Sequence, residues 1–164
     1  MQIPDYFEPL IGWRTWGGID RSTGGLKAYA RNYYWLPGKP VQSICDHCGG
    51  PAKPAFTPGQ FSYKGGNVGM YAFKTIHQLC QDMAFGPVIG QVYLWGQIVE
   101  HTRGYRAEFA YPKALITTYE ADAALLREKW NVEVEVGNVQ NIYEQTKRSI
   151  MRKLEAEYLK ERGE

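Results

Sequence analysis

Two cysteine-bearing pairs carry the sharpest chemical signal in the chain. Cys45-Asp-His-Cys48 is a C-x2-C knuckle in a stretch rich in Gly and Pro, and His77-Gln-Leu-Cys80 is an H-x2-C pair within a helical pattern. Positions i and i+3 share a helix face, so a loop knuckle and a helix-borne pair suit a tetrahedral zinc ion with three thiolates and one imidazole. Cys45, Cys48, His77 and Cys80 are the candidate ligands, with His47 as a substitute, and one structural zinc ion is the candidate cofactor. Such an ion would hold an irregular loop in place, because metal binding contributes folding energy directly. Against this, the 28 residues between the pairs exceed the gap of ordinary fingers. Free cysteines are often simply buried, which leaves two loop thiols and one core thiol as the plainer reading. A redox role fits less well, since the knuckle does not follow a strand and open a helix.

The second constellation lies in His101-Thr-Arg-Gly104 and its flanks: Glu100, His101, Arg103, Tyr105, Arg106 and Glu108. Arginine beside aromatic rings suits planar anions, by stacking on a base or by a bidentate grip on phosphate or carboxylate. Trp13, Arg14, Trp16, Trp35 and Trp95 complete the candidate ligand set, an aromatic-lined site for a nucleobase or nucleotide-like anion. The plainer alternative is cross-strand pairing of Arg with Glu. His101 and Glu100 are adjacent, so on a strand they face opposite ways; no catalytic residue is assigned. Gly65-Gly-Asn-Val-Gly69 precedes a helical pattern but lacks the Gly-Lys-Ser/Thr of a phosphate loop, and reads as a turn.

These groups need elements to position them. From Val88 to Val99 apolar and aromatic residues alternate on both faces, predicting a sheltered strand. Residues 101–104 supply a turn, and Tyr105–Tyr111 a returning strand that Pro112 ends. Ahead of this hairpin, Trp13–Trp16 is extended, Leu26–Leu36 could be a helix by residue type but Tyr33-Tyr-Trp35 before Pro37-Gly38 favours a strand in its second half, and Cys45–Gly69 is the least regular stretch. Ala72–Met83 has helical spacing. After the hairpin, Thr117 and Glu120 form a capping-box pattern before a helix over 119–130, with Ala121, Ala124, Leu125 and Trp130 inward. Val132–Val136 is a short strand or link. From Asn138, a good N-cap, a helix runs toward Lys160 with the stripe Val139, Ile142, Tyr143, Thr146, Ile150, Leu154, Tyr158. The predicted fold is α+β: a bent antiparallel sheet or partly closed β-barrel, two short helices and a long C-terminal helix. Residues 1–136 form one domain, and 137–164 a helix packed on it or mediating assembly.

Bulk properties narrow the function classes. The charge of +2 is too small to argue for duplex DNA. Residues 1–118 carry 11 Lys/Arg against 7 Asp/Glu, placing the positive excess with the hairpin. There is no apolar run long enough for a membrane span and no leader pattern, and three cysteines, an odd number, fit a reducing compartment. The expectation is a cytoplasmic protein with no membrane partner.

Trp13-Arg-Thr-Trp16, the cysteine knuckle, Gly69-Met-Tyr-Ala72 and the run LWGQIVEHTRGYRAEFAYPKAL together resemble an uncharacterised group of small soluble proteins of actinobacteria and their phages. That group is marked by a tryptophan-bearing opening, a C-G-C-G-(I/F)-(Y/H)-A stretch and an L-W-G-x-V-V-E-H-x-x-G-Y-R-A-E-x-A-Y-P run. The resemblance spans about residues 12–135 and is most specific over Leu94–Pro112. Gly66 and Val68 stand where the group has paired cysteines, so either His77 and Cys80 replace those ligands or the chain holds no metal. The resemblance implies one compact domain, a host-cytoplasmic location if phage-encoded, and no activity. Three functions follow as expectations. The first is a non-enzymatic module binding a nucleotide-like anion or nucleobase, sequestering a host signal or reading nucleic acid. The second is an assembly protein, joining a homo-oligomer or a protein partner through residues 138–164. The third is a nucleotide-processing enzyme.

Overall fold

The computed structural model describes residues 8–29, 33–44, 50–54 and 69–164. Two long strands dominate it, β6 (Val88–Glu100) and β7 (Gly104–Thr117), preceded by β1 (Leu10–Ile19), β2 (Leu26–Ala28), β3 (Tyr34–Trp35), β4 (Val41–Gln42) and β5 (Met70–Phe73). Helix α1 (Ile76–Asp82) lies between β5 and β6; α2 (Glu120–Trp130), β8 (Glu133–Val136) and α3 (Val139–Glu161) follow β7. The class is α+β, as expected, with a long C-terminal helix.

The strands of the hairpin are long enough to take different partners along their length. β1 lies against the first half of β6, from Leu10↔Leu94 to Trp16↔Val88. β5 lies against the start of β7, from Met70↔Ala107 to Phe73↔Gly104. β1 and β5 meet at Trp13↔Phe73. The pairings β1–β6–β7–β5–β1 therefore run in a closed circuit, which is the partly closed barrel. β4 and β8 add to the remaining edge of β7, β8 in parallel; the sheet is mixed.

Two bulges let the hairpin bend. Between Trp95↔Phe109 and Ile98↔Ala107, β6 carries one extra residue. Gly96 there has φ +80°, a conformation costly for any residue with a Cβ. The Glu108 carboxylate accepts a hydrogen bond from the Gln97 backbone N–H at 3.1 Å, and the Gln97 amide donates to the Pro54 carbonyl at 2.9 Å. The second bulge sits between Val92↔Pro112 and Gln91↔Ala114, with Lys113 the extra residue. Pro112 thus does not end the strand as expected. A bulge is one place where a ladder tolerates a missing N–H, and β7 continues to Thr117.

Trp16 and Trp35 meet edge to face in the core, centroids 5.4 Å apart. Trp130, also fully buried, donates from Nε1 to the Gly24 carbonyl at 2.7 Å, and the Tyr111 hydroxyl donates to the Trp130 carbonyl at 3.1 Å. Buried indoles and phenols need such partners, and these tie α2 to the β1–β2 turn and to β7.

Three local expectations are corrected, and one left open between helix and strand is decided. Residues 70–73 are a strand, and α1 starts only at Ile76, with the Thr75 hydroxyl accepting from the Gln78 N–H at 3.1 Å. Leu26–Leu36 holds two short strands. Thr117 makes no capping box: its hydroxyl donates to the Pro87 carbonyl, and Tyr119 is the N-cap of α2. The inward face of α2 is Asp122, Ala123, Leu126 and Trp130, leaving Ala121 and Ala124 exposed. Asp122 is held inward by an ion pair with Arg21 at 2.7 Å. No helix among the described residues is long and apolar enough to cross a membrane.

Candidate functional site

At the hairpin tip the His101 N–H donates to the Gly104 carbonyl at 2.7 Å, and β5 runs alongside so that Tyr71 stands opposite Arg106. Gly104 is required here, because a Cβ would lie 2.3 Å from the Ala72 carbonyl oxygen and 3.0 Å from the Tyr71 ring. Buried Arg106 donates from Nε to His101 Nε2 at 2.8 Å. That bond fixes the imidazole as the neutral tautomer protonated on Nδ1. Burial, and then the Arg106 charge, hold the His101 pKa below the usual histidine value. Burial likewise lowers Arg106, which stays charged at any ordinary pH. The Tyr71 ring lies tilted against the imidazole, centroids 6.0 Å apart. Burial raises its phenol pKa, Asp82 adds to the rise, and Arg103, Arg106 and Lys74 oppose it.

The other charges at the tip are matched within the chain. Lys74 pairs with Glu100 at 2.6 Å and lies over the Tyr105 ring at 5.4 Å; the Glu100 hydrogen bond raises its pKa. Arg103 pairs with Asp82 at 2.5 Å, latching the tip to the end of α1. The Glu108 carboxylate is committed to the bulge. His101 therefore offers its basic nitrogen to Arg106, while Glu100 and Glu108 are turned to other partners. An acid–base pair of His101 with either carboxylate is not assembled.

The tryptophan set divides. Trp16 and Trp35 are core residues; Trp95 stacks on Phe109, centroids 5.8 Å apart. Trp13 lines a separate groove of about 200 Å³ with Gln91, Glu133 and Glu135. Arg14 places its guanidinium carbon 4.6 Å from the Trp35 ring centroid and donates to the Tyr71 carbonyl at 2.8 Å. It also lines a cleft of about 160 Å³ with Tyr29, Tyr71, Phe73, Leu79 and Met83. Of the ten candidate ligand residues, the structure gathers Arg14, His101, Arg103 and Arg106 near Tyr71, puts Trp35 under Arg14 with Trp16 behind it in the core, and places Trp13, Trp95, Tyr105 and Glu108 in other contacts.

Of the four zinc candidates, Cys45 and Cys48 lie outside the described residues, as do residues 65–68 of the glycine stretch. His77 is exposed on α1. Cys80 is buried, its Sγ donating to the Tyr143 carbonyl at 3.8 Å, and burial raises its thiol pKa against a lowering by Lys147. Among the described residues no group of three or more His, Cys, Asp or Glu is placed to hold a metal ion.

A different surface lies where α3 leaves the body. The Asn138 side chain caps the helix by accepting from the Asn141 N–H at 2.9 Å. Val139 is buried, Ile142, Tyr143, Thr146 and Ile150 are half-buried, and Tyr143 meets Phe85 with centroids 5.0 Å apart. From Met151 on, every residue is exposed, including Met151 at 64%, Leu154 at 51% and Tyr158 at 56%. Beside this stripe runs a groove of about 330 Å³ lined by Cys80, Met83, Tyr143, Ile150, Met151 and Leu154.

Sequence reasoning missed Tyr71, Lys74 and Asp82, which partner the hairpin charges: the helix expected from Ala72 hides the strand that carries Tyr71, and Asp82 meets Arg103 only across elements. Alternation of Met70, Ala72 and Lys74 against Tyr71 and Phe73 was the available signal. No family model, curated protein or solved structure matches the chain.

Proposed function

We propose that this is a non-enzymatic interaction protein whose contact element is the C-terminal helix. The observation that carries the reading is the apolar stripe of α3. It is anchored on the body through Ile150 and continues over Met151, Leu154 and Tyr158 in solvent. Single exposed apolar residues need no explanation, whereas a contiguous patch beside a groove marks a protein contact. The hairpin supports the same view from the other side. Lys74, Arg103 and Glu108 are engaged within the chain, so the most recognisable stretch of the sequence serves to build the fold. The test is site-specific photo-crosslinking in expressing cells, with the reactive group placed at Leu154 or at exposed Lys39. Protein adducts at position 154 and not at 39 are expected; equal or absent labelling at 154 would overturn the reading.

A second reading, a small anionic or nucleotide-like ligand, is favoured by the Arg14 cleft with its tyrosine and phenylalanine walls. Its volume of about 160 Å³ is below the roughly 300–1,000 Å³ of drug-sized ligand sites, so it ranks second. Calorimetric titration with nucleoside monophosphates, repeated on Arg14→Ala, decides it: heat that disappears in the variant supports the cleft, and no heat in either removes it.

A further inference from the structure

We infer that the partner of α3 is a second copy of this chain, with the two helices antiparallel and crossing at Leu154; this rests on the interaction reading above. The argument is the distribution of charge along the exposed helix. Between Lys147 and Lys153 stand Lys147, Arg148, Arg152 and Lys153 with no acid, while Glu155, Glu157 and Glu161 follow with only Lys160 among them. Leu154 sits at the change of sign. A parallel pair would set basic block against basic block and acidic against acidic, which is unfavourable. An antiparallel pair sets each basic block against the partner's acidic one.

The register follows from the stripe. Residues equidistant from Leu154 meet across a twofold axis, as in any symmetric homodimer. Ile150 then meets the partner subunit's Tyr158, and Leu154 meets the partner subunit's Leu154. At the ends of the contact, seven residues either side of the centre, Lys147 faces the partner subunit's Glu161. At 100° per residue, Ile150, Leu154, Tyr158, Lys147 and Glu161 all fall on one side of the helix, so the apolar middle and the two charged ends belong to one face. Lys147, Ile150 and Leu154 also border the groove beside α1, so the contact face is continuous with the groove's apolar rim.

Sedimentation velocity of the full chain across a concentration series tests this. A concentration-dependent dimer is expected, and Leu154→Glu should abolish it while circular dichroism shows the fold intact. Lys147→Glu and Glu161→Lys, singly, should each weaken the dimer roughly tenfold, because each change breaks two symmetry-related ion pairs at once. The double exchange should restore it. A dimer that the double exchange does not rescue overturns the antiparallel register. A chain that is monomeric throughout, yet forms crosslinks from position 154 to a different protein, overturns the second copy as partner and leaves the interaction reading standing. A monomer without crosslinks removes both.

Discussion

Replacing Gly96 by Ala probes whether the β6 bulge is built as described. Two costs add. The backbone at φ +80° is the left-handed region, which costs a residue with a Cβ about 1–2 kcal/mol. The new methyl would lie 2.8 Å from Glu108 Oε1 and from Phe109 Cδ2, and 2.9 Å from Glu108 Cβ; forcing such overpacking costs about 1–3 kcal/mol. The sum is about 3 kcal/mol, or a fall in Tm of about 6–12 °C for a domain of this size. Gly38→Ala is the control, since Gly38 has φ +90° with nothing within 4 Å of the new Cβ. It should show the backbone cost alone, about 1–2 kcal/mol. Glu108→Ala removes the acceptor of the Gln97 N–H and should cost about 1–3 kcal/mol by itself. Combined with Gly96→Ala it should cost less than the two added, because the carboxylate the new methyl would strike is gone while the Phe109 and Cβ contacts remain. Differential scanning calorimetry of the four variants reads all of this. Equal losses for Gly96→Ala and Gly38→Ala, together with additivity in the double variant, would refute the packing of the bulge around Glu108.

Three further outcomes are expected. His101 has a folded pKa below its unfolded value, so the unfolded chain binds the proton more readily. Its contribution is complete above the ordinary histidine range and is lost as the pH falls through that range toward the folded value. The Tm of the native chain should therefore drop more than that of His101→Gln between pH 7.5 and 5.5, and parallel profiles would refute a His101 pKa lowered by burial and by the Arg106 charge. Tyr111→Phe removes the hydroxyl that donates to the Trp130 carbonyl in a buried site and should cost about 1–3 kcal/mol in urea unfolding, with an unchanged m-value; a loss under a few tenths would contradict that contact. In a Cys45→Ser, Cys48→Ser background, Cys80 should react with a thiol reagent slowly when native and rapidly in denaturant, given its burial and raised pKa. Rapid native labelling would show that α1 and α3 do not close over it.

What the sequence made legible depended on how local the determining physics is. The hairpin was readable because alternation of Val, Ile, Tyr and Trp is a property of neighbouring residues, and α3 because Asn138 and the stripe announce it. The bulges were not. Alternation continues across Gly96 and Lys113, and the extra residue becomes visible only against the partner strand. Met70 to Phe73 is four residues long, too short for strand period to outweigh the helical spacing that follows. The face of α2 was misread because an aspartate reads as outward, whereas its partner Arg21 lies about a hundred residues away in the chain. The tryptophans read as walls of a ligand site, but residue type does not say whether an indole fills a core, as Trp16 does, or borders a groove, as Trp13 does. For the same reason the turn charges read as an anion site until Lys74 and Asp82, on other elements, were placed beside them.

The closed circuit of strands has a consequence for how the chain is made. β1 needs β6 along its length, and β6 begins at Val88, about seventy residues after β1 is complete. At ribosomal rates of roughly 5–20 residues per second, that strand waits several seconds with its apolar side chains and one hydrogen-bonding edge uncovered. Among the described residues no earlier segment supplies the missing neighbour, since the β1–β5 junction is a single residue pair. Yield in the cell should therefore depend on what shelters β1 during that interval, and fall with slower translation even when the finished protein is equally stable.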